Sequence, residues 1–600
     1  MTQGVNVAIK DGWAEVEVSR QAGERWMGAA QRARLIAILK ELDPHLKAVV
    51  LCSADRVLAA FADGGPDLPG PDDAIRPTVA DLCLALDACA VPVVVLMEGP
   101  VAGAMADIAL AAQARIATPG ARISFCAARL DRISGAGSTQ RLPRLIGAEQ
   151  ALRLLSQAKP IPAPEALVIG LLDHIVDVEP PQDARAAAGL WVLQQAFPLR
   201  RPSGLSDGRA VLRAVGALRA GQGASGLMLA LADCVEAALL LPLEQGLAFE
   251  AALAAERDAL PGPAALAHLM QAERAAAAIP AALAAVTVAA VARPAFAGAS
   301  TSMTSLALMT LARGLPLKVF ETERSRLVPM LQGVVARHEA AVQAGTLSAD
   351  QRDADWARLL PVTDPSSLGQ ADLVIVAPDA ARPSVGPATP LLVMGRGDLP
   401  KGAFRLVLSG KVAELAVPPS SPAKPAAQAR AFLRRIGHMV VLTGVQSPLG
   451  ISGRLARAGG AALRGLMDLG VAPEQIDAAL SGFGVKVPAL PQTEPASAPR
   501  LMSGDEIVAR WLAALANEGA RLLACGLAQS AADIDLVAVH GLGLPPGCGG
   551  PLYQADQRGL LILRRDLRLW GEDAEVWKPT PALDALVSVG RGFSQSLSRG

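Results

Sequence analysis

The chain has 600 residues, 52% of them apolar and only 3% aromatic, so it exceeds one core and calls for several domains packed chiefly with Ala, Leu and Val. Lys plus Arg and Asp plus Glu each number 56, a balance that leaves no electrostatic footprint for nucleic acid or an anionic membrane surface. The seven cysteines are scattered without a CxxC pair, which predicts buried thiols in a reducing compartment rather than a disulfide framework or a metal site.

Met1 to Arg20 has no signal-peptide layout, and a cytoplasmic protein is expected. Val5, Val7 and Ile9 alternate with other residues, as do Ala14, Val16 and Val18, and Lys10-Asp11-Gly12 between them predicts a hairpin. A helix over 29–42 leads into a strand at Ala48–Cys52, and a helix near 79–88 leads into a buried strand at Val91–Met97. Strands alternating with helices at this spacing predict a largely parallel, helix-covered sheet. Residues 191–283 read as helical and alanine-rich.

The uncharged run Ala275–Ala292 approaches the length of a membrane span, but Pro280 breaks it, so a helix end leading into a buried strand is expected. A second α/β unit follows, with predicted strands at Val286–Val291, Leu317–Phe320, Leu373–Ala377 and Leu391–Met394. Pro418-Pro419-Ser420-Ser421-Pro422 is a break, after which helical modules occupy about 426–495 and 500–600.

The run Gly135-Ala136-Gly137-Ser138-Thr139-Gln140-Arg141-Leu142-Pro143-Arg144-Leu145-Ile146-Gly147 resembles the GAGGTQRLPRLIG signature of enoyl-CoA hydratases. Ile161 to Ala166, followed by Gly170-Leu171-Leu172-Asp173, is similar to that family's closing segment. Further on, Gln245-Gly246-Leu247, Glu250, Ala267-His268-Leu269 and Glu273-Arg274 are similar to a linker helix. Ile534-Asp535, His540 to Pro546, Gly549-Gly550-Pro551-Leu552 and Asp556 resemble the last module of 3-hydroxyacyl-CoA dehydrogenases.

In this order the segments resemble the multifunctional proteins of fatty-acid β-oxidation, which join an enoyl-CoA hydratase/isomerase to a 3-hydroxyacyl-CoA dehydrogenase. The resemblance implies an α/β protein with an N-terminal crotonase-like domain over 1–190 and a helical linker over 191–283. It then implies a Rossmann-like NAD-binding-like domain over 284–420 and two C-terminal all-α dehydrogenase modules over 421–499 and 500–600. It also implies an acyl-CoA thioester as ligand, NAD as cofactor and a thiolase-like or self-association partner, while the charge balance and the Pro280 break lead to the expectation of no nucleic acid and no membrane span.

Hydration of an enoyl-CoA needs backbone N–H donors for the enolate oxygen and carboxylates that move protons. The resemblance places the donors after an FxaGaDl segment, here Phe61 to Leu68 with Gly64 and Gly65, and in a GGGcE turn, here Gly103-Ala104-Met105-Ala106-Asp107. Asp107 keeps the first carboxylate on a shorter stem, whereas the second falls on Ala127, and Ser134 stands where the family has proline. Asp107 also suits a helix N-terminus without catalysis, and Asp131 is a nearby carboxylate that matches no acid position of the family.

The dinucleotide fingerprint GxGxxG aligns with Gly298-Ala299-Ser300-Thr301-Ser302-Met303, which keeps one glycine and follows an expanded loop over 292–297. Ser300 sets a Cβ where phosphate meets backbone in the family, and Glu321 either holds a ribose hydroxyl or simply ends a strand. The family's SNTS segment reads Met394-Gly395-Arg396-Gly397, its HFFNP histidine is missing, and its asparagine is Gly453. His438 and His540 read as structural. Two functions follow: a catalytically degenerate relative that keeps acyl-CoA or partner binding, or an enzyme. The enzyme would be either the parental hydratase/dehydrogenase or a repurposed crotonase pocket using Asp107 or Asp131.

Overall fold

A computed structural model describes residues 4–19, 27–56, 58, 75–177, 183–197, 205–221, 225–378, 380–386, 388–419, 421–486 and 500–595. The chain divides into two units, Met1–Ala267 and His268–Gly600.

In the first unit β1 (Val5–Lys10) and β2 (Trp13–Val18) form the expected hairpin, with Val5 opposite Val18. The remaining strands are β3 (Ala48–Ser53), β4 (Val93–Met97), β5 (Pro100–Ala102), β6 (Ala114–Ala117), β7 (Arg122–Ser124), β8 (Ile161–Pro162) and β9 (His174–Ile175). They build a six-stranded sheet, β1-β2-β3-β4-β6-β9, parallel from β2 onward, and a small sheet β5-β7-β8. Every residue of β3 and β4 is buried, because helices cover both faces. Val49, Leu51, Val93 and Val95 pack with Leu35, Ile38, Leu82 and Leu86 of the helices Ala29–Glu41 and Val79–Asp87. The intervening Ala48, Val50 and Val94 pack with Ala188 and Val192 of the helix Ala184–Gln194.

The signature run forms the helix Ser138–Ile146, and Thr139, Gln140 and Arg141 on it are buried and hydrogen-bonded to protein partners. Gln140 Nε2 donates to the Cys234 carbonyl at 2.8 Å, and Arg144 Nη2 donates to the Ala238 carbonyl at 2.8 Å. These bonds hold the helix Gly226–Leu240 of the alanine-rich segment against the sheet unit. Gly137 enters the helix at φ +104°, where a Cβ would run into the Arg141 guanidinium.

The second unit holds β10 (Pro294–Ala297), β11 (Leu317–Phe320), β12 (Leu359–Val362), β13 (Leu373–Val376), β14 (Leu391–Val393), β15 (Phe404–Ser409), β16 (Val412–Ala416) and β17 (Met439–Thr443). The sheet order is β12-β11-β10-β13-β14-β15-β16-β17, parallel except for the β15–β16 hairpin. Its first six strands run 3-2-1-4-5-6, the order of a dinucleotide-type sheet. The sheet continues through β17, past the proline-rich break at 418–422.

Two expectations are corrected here. The first strand is Pro294–Ala297, and Val286–Val291 forms no strand, so the buried strand lies further on and no expanded loop precedes Gly298. Apolarity alone pointed to the valines, but most of 286–290 faces solvent, whereas all four residues of β10 are buried. Pro294 is tolerated because it opens the strand, where its missing N–H costs little. The second concerns the thiols: all seven are free, but Cys525 is exposed, at the end of the helix Gly504–Ala524.

Asp535 is fully buried: one oxygen accepts the Leu552 N–H at 2.8 Å, and the other accepts the Tyr553 N–H at 3.1 Å and lies 3.0 Å from His268 Nε2. The carboxylate thereby caps the helix Pro551–Arg558, which follows the Gly549-Gly550 turn. Among the described residues no helix is long and apolar enough to cross a membrane, including the run at 275–292.

Candidate functional site

β5 ends at Ala102, Gly103 turns the backbone at φ +61°, and the helix Ala104–Ala111 begins. Leu58 is bridged to β5 through Leu58 N–H to the Pro100 carbonyl at 2.9 Å, and the other predicted donor segment, Phe61 to Leu68 with Gly64 and Gly65, lies outside the described residues. Gly103, Ala104, Asp107, Ala127 and Ser134 all line one cavity of about 650 Å³. A neighbouring space of about 30 Å³ is lined by Gly103, Asp107, Ala127, Ser134 and Ser138, among others.

Asp107 is 5% exposed and accepts a hydrogen bond from Ser134 Oγ. Burial pushes its carboxyl up to about 7, against the Ser134 hydrogen bond that favours ionisation. The helix-cap alternative for Asp107 places it at the fourth helical position, but its side chain is bonded to Ser134, which lines the same cavity. Ala127 opens a short 3-10 turn, Ala127–Leu130, on the same cavity and offers no proton-handling group.

Two other carboxylates reach the cavity wall, and both are committed. Asp81 closes a capping box with Thr78, accepting its N–H at 2.8 Å. Asp258 forms a two-pronged pair with Arg132, each N–O distance 2.6 Å. Asp131 does not line the cavity; it sits at φ +56° and pairs with Arg257 at 2.6 Å.

In the second unit the structure brings Gly298, Ser300 and Glu321 around one loop between β10 and the helix Thr301–Leu311. Gly298 has φ +91°, and a Cβ there would collide with that of Ala380, beyond β13. One Glu321 oxygen accepts the Ala299 N–H at 3.1 Å and the other accepts the Glu323 N–H at 3.0 Å. Ser300 Oγ is paired with Ser302 Oγ at 2.9 Å, and Met303 is fully buried. The residues present therefore do not fit a dinucleotide cradle. The lone glycine admits the alanines after β13, a loop N–H is given to Glu321, and a side chain stands at Ser300.

The histidines of this unit are held by protein partners or buried. His268 is bonded to Asp535, His540 to Glu273 at 2.8 Å, and His338 Nδ1 accepts from Trp356 Nε1 at 3.1 Å. Burial holds the His438 imidazole below its ordinary pKa. Glu414, buried and raised in pKa by that burial, accepts the N–H groups of Ile451 and Ser452 (the latter at 3.0 Å) at the start of the helix Gly450–Asp468. Arg405 holds the carbonyls of Gly395 and Gly397 in the turn that replaces SNTS.

Residues 27–192 match the family model described as Enoyl-CoA hydratase/isomerase. The Bacillus subtilis (strain 168) protein named "Putative enoyl-CoA hydratase/isomerase YngF" is 30% identical over 184 residues, covering 29% of this chain and 71% of that protein. The chain belongs to the enoyl-CoA hydratase/isomerase family.

Similarity reaches beyond this family's own segment. The "Peroxisomal bifunctional enzyme" of Danio rerio is 24% identical over 673 aligned positions, covering 91% of this chain and 92% of that protein. The "Glyoxysomal fatty acid beta-oxidation multifunctional protein MFP-a" of Cucumis sativus is 40% identical over 111 residues, which is 18% of this chain and 15% of that protein. This hydratase/isomerase family member is thus a relative of the β-oxidation bifunctional enzymes. Both relatives carry an organelle in their names.

Sequence reasoning singled out Asp107, Gly103, Ala104 and Ala127, and these do meet at one cavity. It passed over Arg132 and Asp258, and it noted Ser134 only as a lost proline. The signal for Ser134 was present: a hydroxyl had replaced a side chain that cannot donate.

Proposed function

We propose that this chain binds an acyl-CoA thioester in the cavity of its first unit and has given up both hydration and 3-hydroxyacyl dehydrogenation of the parental kind. One observation carries the reading: Ala127 faces the same cavity as Asp107, so a single uncommitted carboxylate has to serve where the reaction employs two. The family membership of residues 27–192 supports a thioester as the ligand class. For the second unit, the loop Gly298–Met303 is spent on its own packing, which supports a scaffold role rather than nicotinamide chemistry. The crotonase-like, linker, Rossmann-like and two helical modules are part of this reading, with 1–190 as the working segment.

The test combines binding with turnover. Titration calorimetry with non-reactive S-butyl-CoA and S-decyl-CoA thioethers should give saturable binding. Purified protein should hydrate crotonyl-CoA no faster than background, and acetoacetyl-CoA with NADH should lose no nicotinamide absorbance. Turnover near that of ordinary hydratases or dehydrogenases in either assay overturns the proposal.

A further inference from the structure

The family proline has become Ser134, and its hydroxyl donates directly to the buried Asp107 carboxylate on the wall of the large cavity. A hydroxyl hydrogen-bonded to a carboxylate of raised proton affinity is the arrangement of a nucleophile with its base. Two further observations fit it. Gly103 and Ala104 line the same cavity at the N-terminal, positive end of the helix Ala104–Ala111, where charge on a carbonyl oxygen is favoured. Ser138, 1% exposed, interacts with Asp107 and lines the adjoining 30 Å³ space beside it. That space is large enough for one water, and Ser138 Oγ and Asp107 are polar partners for it.

We propose that Ser134 is an acyl acceptor and that this pocket hydrolyses acyl-CoA thioesters through an acyl-serine. The inference rests on the acyl-CoA reading of the cavity. Ser134 Oγ bonds to the thioester carbonyl carbon and gives its proton to the Asp107 carboxylate. The C–S bond breaks, and Asp107 returns the proton to the departing CoA thiolate. Water in the Ser138 space then attacks the ester carbon, passing a proton through Asp107 to Ser134 Oγ as the C–O bond to serine breaks. The products are free CoA thiol and a carboxylic acid, so atoms and protons balance with water as the only co-reactant. One carboxylate suffices for this sequence, unlike hydration, because the serine supplies the nucleophile.

The test uses the full chain with butyryl-CoA and decanoyl-CoA, and an S-alkyl-CoA thioether as a binding probe that cannot react. The expected result is release of free thiol and an intact-mass increment of one acyl group, located on Ser134 and removed by hydroxylamine. Ser134→Ala and Asp107→Asn should each lower thiol release by about 10²–10⁴-fold while still binding the thioether, and Ser134→Cys should still become acylated. Thioether binding without thiol release or adduct overturns the acyl-serine proposal and leaves the binding reading intact. Undiminished release in a folded, thioether-binding Ser134→Ala protein also overturns it. Absence of thioether binding overturns the cavity reading, and this proposal with it.

Discussion

Glu250 accepts the N–H of Thr139 at 3.0 Å across 111 residues of sequence, and also takes that residue's hydroxyl proton as a hydrogen bond. Its second oxygen accepts the Gly137 N–H at 2.7 Å, so one fully buried side chain on the helix Leu243–Asp258 caps the helix Ser138–Ile146. Leaving a buried donor unsatisfied costs about 1–3 kcal/mol. Glu250→Ala is expected to lower stability by about 2–4 kcal/mol, with Glu250→Gln losing roughly half of that because one accepting oxygen survives. Urea denaturation checks the magnitude. Hydrogen exchange should show faster exchange in the helices Ser138–Ile146 and Leu243–Asp258 than at the centre of β3 and β4.

Asp107 gives stability a pH dependence of defined sign. Its carboxyl is raised by burial from 3.8 to about 7 in the folded chain. Between those values the folded state holds a proton that the unfolded state has released, so stability is full below about pH 4 and falls as pH rises to about 7. Above that both states are ionised and the dependence stops. Asp107→Asn should remove this slope, gaining on the natural chain across that interval by on the order of a few kcal/mol and then holding a constant difference. Melting curves from pH 4 to 9 measure it; a difference that shrinks with rising pH contradicts the assignment.

The fold was legible where periodicity and local chemistry agree. The β1–β2 hairpin, β3, β4 and the helices before them follow from alternation, apolar runs and turn residues. β10 was misplaced because four buried residues beginning with proline carry less apolar signal than the valine-rich stretch before them. At the site, Asp107 and Ala127 could be aligned by motif. The Arg132–Asp258 and Glu250–Thr139 pairs could not, since each joins residues more than a hundred positions apart. Glu321 was read as either a ribose ligand or a solvated strand end. It follows the end of β11 but is not solvated, being 7% exposed and bonded to the N–H groups of Ala299 and Glu323.

Restoring the missing carboxylate provides a direct test of the first pocket. Ala127 is half-buried and lines the cavity that Asp107 and Gly103 also line, so a glutamate there adds a second carboxylate at that cavity. Ala127→Glu is expected to raise crotonyl-CoA hydration by at least about 10²-fold over the natural chain. It should also raise the Asp107 pKa further, since two carboxylates at one site resist joint ionisation. Coupled-rate and pH-profile measurements read both effects. A variant that binds the thioether as tightly as before but does not hydrate would place the loss in the donor turn rather than in the carboxylate.

The loop after β10 decides whether nicotinamide chemistry has a place in the second unit. A nucleotide bound a hundredfold above its dissociation constant stabilises by about 2.7 kcal/mol, which a melting curve resolves. Because the Ala299 N–H is taken by Glu321 and Gly298 packs against Ala380, NADH is expected to leave the melting temperature unchanged. Gly298→Ala should nonetheless destabilise by about 1–3 kcal/mol, since the residue has φ +91° and its Cβ would strike Ala380. The two results together separate the glycine's roles. A glycine kept for phosphate would make NADH stabilising and its replacement costly only to that response, whereas one kept for packing makes the substitution costly with no nucleotide present.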